Sequence, residues 1–224
     1  MIGVIFDLDG TLADSAHDIA ASLNYVLALH GFAVHDERAV RRMVGDGAAV
    51  LIERATPGAP PELRTTLLAE YRDRYFGHMA DSTRPYAGVP ELLRELSGRA
   101  VRLGVLSNKP EAATRALVGA LFPEVRFQAV HGQRPGRPIK PDPAAALELA
   151  RALDIEPARC MLVGDSGVDV QTATAAGMLA VGVAWGFRGR AELEAQGAYA
   201  VLEQPAELLD LLAAWPTLRA EEHR

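Results

Sequence analysis

Two carboxylates two residues apart, Asp7 and Asp9, stand at the end of the apolar run Ile2-Gly3-Val4-Ile5-Phe6. Alternate residues of an extended strand point to the same face, so both acids can address one small volume. Held that close, they repel each other and their pKa values rise unless a cation lies between them. A hard divalent ion such as Mg²⁺ takes oxygen ligands, commonly one or two carboxylates together with a substrate phosphate. Gly10 and Thr11 follow directly, a flexible backbone and a hydroxyl beside the pair. Three further segments carry matching chemistry. Ser107-Asn108 supplies a hydroxyl and backbone donors suited to a phosphoryl oxygen. Lys140 can set an ammonium against a phosphate and a neighbouring carboxylate. Asp165, with Asp169 four residues on, adds oxygen ligands for a hard cation. The chemistry these residues imply is metal-assisted handling of a phosphate.

The elements that must position them are legible from hydrophobic pattern. Ile2–Phe6, Val101–Leu106, Phe127–Val130, Cys160–Val163, Leu179–Val183 and Tyr199–Val201 read as short strands, most of them apolar and flanked by turn residues. Helical patterns alternate with them, over Val89–Leu96, Glu111–Leu121, Asp142–Leu153, Val170–Ala176, Ala191–Gln196 and Pro205–Ala214. Alternation of this kind predicts an α/β fold, a doubly wound parallel sheet with a Rossmann-like core. Every strand of such a sheet ends on the same side, where ligands bind, so the separated motifs can converge. Between Leu12 and Thr83 no strand is evident. Ser15 and Asp18 suggest a capping box for a first helix, and helices follow at Asp36–Met43, Ala48–Ala55 and Pro61–Gly77, broken by Gly45-Asp46-Gly47 and Pro57-Gly58-Ala59-Pro60. That block exceeds what a crossover needs. The expected organisation is a core of residues 1–14 and 84–224 with a helical cap inserted at 15–83.

Asp7-Leu8-Asp9-Gly10-Thr11, Ser107, Lys140 in Lys-Pro-Asp-Pro, and Gly164-Asp165-Ser166-Gly167-Val168-Asp169 resemble the four ordered motifs of the haloacid dehalogenase superfamily. The resemblance implies catalytic roles for Asp7 as nucleophile, Asp9 as general acid and then base, and Ser107 and Lys140 as stabilisers of the transferring phosphoryl group. It implies Mg²⁺ held by the Asp7 side chain, the Asp9 backbone carbonyl and Asp165, with Asp169 orienting the metal's waters. Gly10, Thr11 and Asn108 would cradle the phosphate. A metal-free dehalogenase has no leaving alkoxide to protonate and no use for Asp9. A phosphonatase would need a cap lysine, and Asp14 to Arg84 contains none. Within the superfamily the motifs are similar to phosphatases of small phosphorylated acids, 2-phosphoglycolate foremost. Phosphatases of sugar phosphates, N-acetylmuramate 6-phosphate or pyrophosphate, and phosphosugar mutases, share the same core chemistry.

In such a phosphatase the cap reads the leaving group. Gly45-Asp46-Gly47 before a helix exposes backbone donors favourable to a small anion, and Arg42 or Arg41 can add a bidentate contact to a carboxylate. Asp46 must then turn its charge away. Trp185-Gly186 and Phe187 read as packing or a core-side loop after the last core strand, and Arg134 and Arg137 as a solvated loop close enough in sequence to Lys140 to add positive potential. Composition bounds the rest. A net charge of −6 argues against nucleic acid as the main partner, and a single cysteine, Cys160, excludes an intramolecular disulfide. No apolar run reaches the roughly 18 residues of a membrane span, and no leader pattern precedes Ile2. The expectation is a cytoplasmic protein acting on a small phosphorylated metabolite, monomeric or homodimeric. A polar tail, Arg219 to Arg224, is expected to fray.

Overall fold

The computed structural model describes residues 1–221. From the amino end, β1 (Ile2–Phe6) turns into β2 (Ala13–Asp14), followed by α1 (Ala16–Leu29), α2 (Glu37–Met43), α3 (Ala48–Ala55), α4 (Pro61–His78) and β3 (Arg84–Pro85). The chain continues through α5 (Val89–Ser97), β4 (Val101–Pro110), α6 (Glu111–Leu121), β5 (Ala129–Gln133) and α7 (Ala144–Ala152). It closes with β6 (Cys160–Gly164), α8 (Gly167–Ala175), β7 (Leu179–Val183), α9 (Arg190–Ala195), β8 (Ala200–Leu202) and α10 (Glu207–Glu221). Of the tail expected to fray, Arg219 to Arg224, residues 219–221 belong to α10 and the last three lie outside the described residues.

Six strands form one sheet in the order β5-β4-β1-β6-β7-β8, all pairs parallel. β1 lies inside it because Val4, Ile5 and Phe6 are apolar and buried on both faces. After β1 the strand order departs to one side, through β4 and β5, and then to the other, through β6 to β8. The carboxyl end of β1 is therefore a topological switch point, the crevice where ligands bind in open α/β sheets. Ile5 pairs with Gly104 and Leu162, which brings the ends of β4 and β6 alongside it.

The helical insert leaves and re-enters the core through an antiparallel ribbon in which Ala13 pairs with Pro85 and Asp14 with Arg84. Ile19, Leu23, Val26 and Leu27 of α1 recur at helical spacing and are buried, as are Leu67, Tyr71 and Tyr75 of α4. The expected capping box at α1 is absent. Ser15 makes no capping bond, and the buried Asp18 carboxylate instead accepts from the Ser82 N–H at 3.0 Å, the Thr83 N–H at 2.8 Å and the Thr83 hydroxyl at 2.7 Å. A long-range partner outcompetes the local one, and Asp18 ties α1 to the strand that leads back into the core.

Two further differences from the sequence pattern fall at the site. β4 runs past Leu106 to Pro110, because Pro110 regains a partner in Gln133 after the register shifts. Leu106 pairs with His131 and Pro110 with Gln133, so the ladder skips Ser107, Asn108 and Lys109 and re-aims them, as bulges beside active sites do. α8 begins at Gly167 and not at Val170, because Ser166 and Asp169 form a complete capping box that recruits the first turn.

Candidate active site

Asp7 continues β1 by one residue, its N–H donating to the Val163 carbonyl at 2.8 Å. Its side chain meets the Lys140 ammonium, which donates to Asp7 Oδ1 at 2.8 Å and to Asp169 Oδ1 at 2.6 Å. Lys140 is only 3% exposed. Asp7, Asp165 and Asp169, all buried, bring one carboxylate oxygen each to within 4.8 Å of one another. Three carboxylates against one ammonium leave the cluster short of positive charge. Burial is the main reason the Asp7 carboxyl is pushed up from 3.8 to about 7, with Lys140 opposing it and Asp169 assisting. Burial, then Asp7 and Asp169, likewise hold Asp165 well above the usual carboxylate range. Burial would lower the Lys140 ammonium, but Asp169 and Asp7 more than compensate and hold it above its ordinary value.

The three acids are not equivalent. Asp169 is engaged on both oxygens: Oδ1 by Lys140, and Oδ2 by the Ser166 N–H at 3.2 Å and the Ser166 hydroxyl at 2.6 Å. Asp165 Oδ2 accepts the Phe187 N–H at 2.6 Å, and Thr11 Oγ1 lies 3.5 Å from its other oxygen. Among the described residues, one oxygen of Asp7 receives no hydrogen bond from a protein donor. The remaining acceptors, carboxylate oxygens of Asp7 and Asp165, are the hard donors a divalent cation selects, and a cation there would offset the excess negative charge. The donor set fits such an ion.

Close backbone packing shapes this corner. Gly10 has φ +87°, and a Cβ there would lie 2.2 Å from Asp165 Oδ2; a Cβ on Gly186 would meet the Asp165 Cβ at 2.2 Å. The Gly10 N–H donates to the Ala13 carbonyl at 2.9 Å, so that amide closes the turn and is not available to a phosphate. Thr11 is buried with its hydroxyl toward Asp165, and its carbonyl accepts the Trp185 indole N–H at 3.0 Å. Of the two residues read from sequence as contacts to the phosphate, Thr11 turns its hydroxyl toward Asp165 and Gly10 leaves the room that Asp165 occupies. The same pattern gives Trp185-Gly186-Phe187, read as packing or a core-side loop, a direct part in orienting Asp165.

Asp9 is set apart from the acidic triad. Its Oδ1 accepts the Ser15 hydroxyl at 2.5 Å, and its Oδ2 pairs with the Lys109 ammonium at 2.9 Å. Lys109 also donates to the Tyr75 oxygen of α4 at 2.7 Å, linking the acid to the insert. Beside them Ser107 is buried, its hydroxyl oxygen accepting only a 3.3 Å contact from the Lys109 N–H. The Asn108 side chain is occupied elsewhere. Nδ2 donates to the Lys140 and Gly45 carbonyls and Oδ1 accepts the Lys140 N–H, each at 2.9 Å. Asn108 thus fixes the backbone that presents Lys140 and docks the insert's loop on the core.

Over these residues lies a cavity of about 490 Å³ between core and insert. Asp7, Asp9, Ser107, Lys109 and Lys140 form its floor, and Val44, Leu51, Tyr71 and Phe76 come from the insert. Gly45 and Gly47 line it, but Arg42 does not: it is exposed and outside the lining. Arg41 bonds Asp14 at 3.0 Å and Glu37 at 2.9 Å and lies 5.1 Å over the Phe187 ring. Neighbours on α2 and the ribbon, not a ligand, satisfy it. Asp46 turns to Arg54 at 2.6 Å, which removes its charge from the loop. Arg134 and Arg137 pair with Glu148 on the surface. The cationic side chain that reaches the loop from the core is Arg188, donating to the Val44 carbonyl at 2.8 Å.

The arrangement has counterparts. Residues 4–183 match the family model described as haloacid dehalogenase-like hydrolase. The chain belongs to the haloacid dehalogenase-like hydrolase family. It is 38% identical over 217 residues to the phosphoglycolate phosphatase of Rhodospirillum rubrum, covering 93% of this chain and 90% of that one. It is 33% identical over 212 residues to the N-acetylmuramic acid 6-phosphate phosphatase of Pseudomonas aeruginosa, covering 93% of both. A solved structure from Haemophilus somnus, described as a predicted phosphoglycolate phosphatase, superposes with a TM-score of 0.87 at 26% identity, over 93% of this chain and 96% of that one.

As a haloacid dehalogenase-like hydrolase with these relatives, the chain is a phosphatase, and its acidic triad can hold the metal ion such phosphatases generally use. No helix among the described residues is long and apolar enough to cross a membrane. The site residues missed in the sequence are Lys109, Tyr75, Ser15, Arg188 and the Phe187 amide. Lys109 carried the one available signal, its place directly after Ser107-Asn108. The others come from segments whose pattern speaks only of packing.

Proposed function

We propose that this phosphatase is Mg²⁺-dependent, acts in the cytoplasm and hydrolyses 2-phosphoglycolate to glycolate and phosphate through a phosphorylated Asp7. The observation that carries the reading is the Asp7 carboxylate: one oxygen held by Lys140, the group grouped with Asp165 and Asp169, and the whole placed under the cavity. Residues 15–83 serve as the cap that encloses the leaving group.

Asp7, Asp165 and the Asp9 backbone carbonyl would hold the Mg²⁺, which supplies charge neutralisation between carboxylate and phosphate. Lys140 balances Asp7 and Asp169 and keeps the nucleophile ionised and oriented. The Asp7 carboxylate attacks phosphorus in line, and the bond from phosphorus to the ester oxygen breaks. Ser107 donates to a phosphoryl oxygen as charge develops. Asp9 protonates the leaving alkoxide, then takes a proton from the water that hydrolyses the acyl phosphate and regenerates Asp7. In the structure both Asp9 oxygens are held, by Ser15 and Lys109; proton delivery exchanges one of these contacts for the leaving oxygen.

A second reading is favoured by the cavity, since about 490 Å³ falls within the range that encloses drug-sized ligands and is ample for a bulkier ester. The two named activities among the relatives are both directed at phosphorylated carboxylic acids. The test is a panel of phosphate esters assayed with Mg²⁺ for free phosphate and for the dephosphorylated product. Phosphoglycolate is expected to show the highest kcat/KM, and Asp7→Asn to lower it by roughly 10³-fold or more. An Asp7→Asn protein retaining a tenth of the activity overturns the nucleophile assignment. A rearranged sugar phosphate in place of free phosphate overturns the hydrolase reading.

A further inference from the structure

Four cationic side chains line the cavity: Lys109, Lys140, Arg72 and Arg188. Lys140 is paired with Asp7 and Asp169, and Lys109 with Asp9. Arg72 is exposed on α4. Arg188 differs from all three. Its side chain is 17% exposed, and its one ion pair is a 4.0 Å approach of Nε to Glu192 Oε1, an oxygen that accepts the Gly167 N–H at 3.1 Å. One of its N–H groups donates to the Val44 carbonyl. A guanidinium has five donors in a rigid fork, so most of this one's capacity is open.

Its placement is fixed from both ends. The Phe187 N–H, one residue before it, holds Asp165 at 2.6 Å. Its Nη2 lies beside Gly45, whose carbonyl accepts from Asn108 at 2.9 Å. The guanidinium therefore stands between the phosphate-handling floor and the insert's loop, in the position the sequence had suggested for Arg42. A planar fork with several free N–H groups is matched by a planar carboxylate, which it can grip with two parallel bonds.

We infer that Arg188 recognises a carboxylate on the substrate's leaving group, so that the site selects phosphate esters of carboxylic acids. The inference rests on the phosphoglycolate reading and deepens it: the phosphate is read by the core and the acid by Arg188. The contact to Val44 couples this recognition to the loop, because the same side chain pins the insert while it holds the substrate.

The test measures kcat and KM of wild type, Arg188→Gln and Arg188→Lys with Mg²⁺ on 2-phosphoglycolate and on ethyl phosphate, which has the same two-carbon chain and no carboxylate. Arg188→Gln is expected to lower kcat/KM for phosphoglycolate by about 10- to 100-fold more than for ethyl phosphate, with most of the difference in KM. Arg188→Lys should restore part of that difference. A role confined to latching the loop lowers both substrates alike. Equal losses on the two esters, or no loss on phosphoglycolate, overturn the inference while leaving the phosphoglycolate reading in place. A wild-type enzyme that handles ethyl phosphate as efficiently as phosphoglycolate overturns both.

Discussion

Removing or adding Mg²⁺ across pH tests the charge balance at Asp7 directly. Burial raises the Asp7 carboxyl from 3.8 to about 7 in the folded protein. Between those values the folded state keeps a proton that the unfolded state has released. The unfolded state then binds fewer protons, so the stability of the metal-free protein falls as pH rises through that window. The interval corresponds to about 4 kcal/mol as an upper figure for this group, and Asp165, displaced in the same direction, adds to it. Lys140, held above its ordinary value, titrates above the window and does not offset the slope. A divalent ion needs the carboxylates ionised, so its stabilising effect must appear as the proton leaves. At a hundred times its dissociation constant, a ligand adds about 2.7 kcal/mol, which for a domain of this size raises Tm by about 5–10 °C. Thermal melts of chelator-treated protein with and without excess Mg²⁺, run from pH 5 to pH 8, should show almost no metal shift at pH 5 and the full shift at pH 8. Asp165→Asn should abolish the shift at pH 8 while leaving the metal-free Tm at or above wild type, because one repelling charge is gone. A metal shift of equal size at pH 5 and pH 8, or a metal-free Tm that rises with pH, refutes the reasoning.

Two further outcomes follow from buried polar contacts. Lys109→Met leaves the Asp9 carboxylate without its cation, a loss of about 3–5 kcal/mol for a broken buried pair; thermal melts should show it, and kcat should fall at least about tenfold. Tyr75→Phe keeps that pair and removes only the oxygen that Lys109 bonds at 2.7 Å, so its cost should be about 1–3 kcal/mol; a melt as low as that of Lys109→Met contradicts the division between the two contacts. Asp18→Ala strips the acceptor from Ser82 and Thr83 and should lower stability by about 3 kcal/mol with kcat little changed below the melting range. A large kcat loss at full folding would place Asp18 in the chemistry and not only in the tie between α1 and the returning strand.

Much of the core was legible because it obeys local rules. β1 and β6 are short apolar runs that can only be buried strands, and α3 and α6 start and stop where Gly47, Pro110 and the helical spacing say they must. Asp7, Asp165 and Lys140 converge because a parallel sheet brings its strand ends together, a rule that needs no contact information. What was not legible depended on pairing at long range. Asp18 has the spacing of a capping partner, yet Ser82 and Thr83, more than sixty residues on, take its oxygens. Arg42 carries the same charge as Arg188, and nothing in composition separates them; only the loop's approach to the core shows which one enters the cavity. The register shift in β4 was hidden because Ser107-Asn108-Lys109 reads as a turn, and only the pairing of Pro110 with Gln133 extends the strand beyond it.

The opening pair of carboxylates also changes meaning once its neighbours are placed. Asp7 and Asp9 share a strand end, but Asp7 belongs to the acidic triad and Asp9 to a chain of contacts that runs from the core into the insert. From Asp9 the chain passes through Lys109 to Tyr75 on α4, and through Ser15 to the start of α1. Both helices belong to the insert. Asp9, the proposed proton carrier, is thus held jointly by Lys109 of β4 and Ser15 at the start of the insert, whereas Asp7, the proposed nucleophile, is held by Lys140, which Asn108 fixes at the core. Of the Asp9 side-chain partners only Ser15 belongs to the insert, and Lys109 reaches it through Tyr75, whereas none of the partners of Asp7 does. Asn108 bonds both the Lys140 backbone and Gly45, and it is the point where the two systems meet. In the proposed mechanism bond formation falls to Asp7 at the end of β1, and proton transfer to Asp9, whose partners Lys109 and Ser15 stand where the sheet meets the insert.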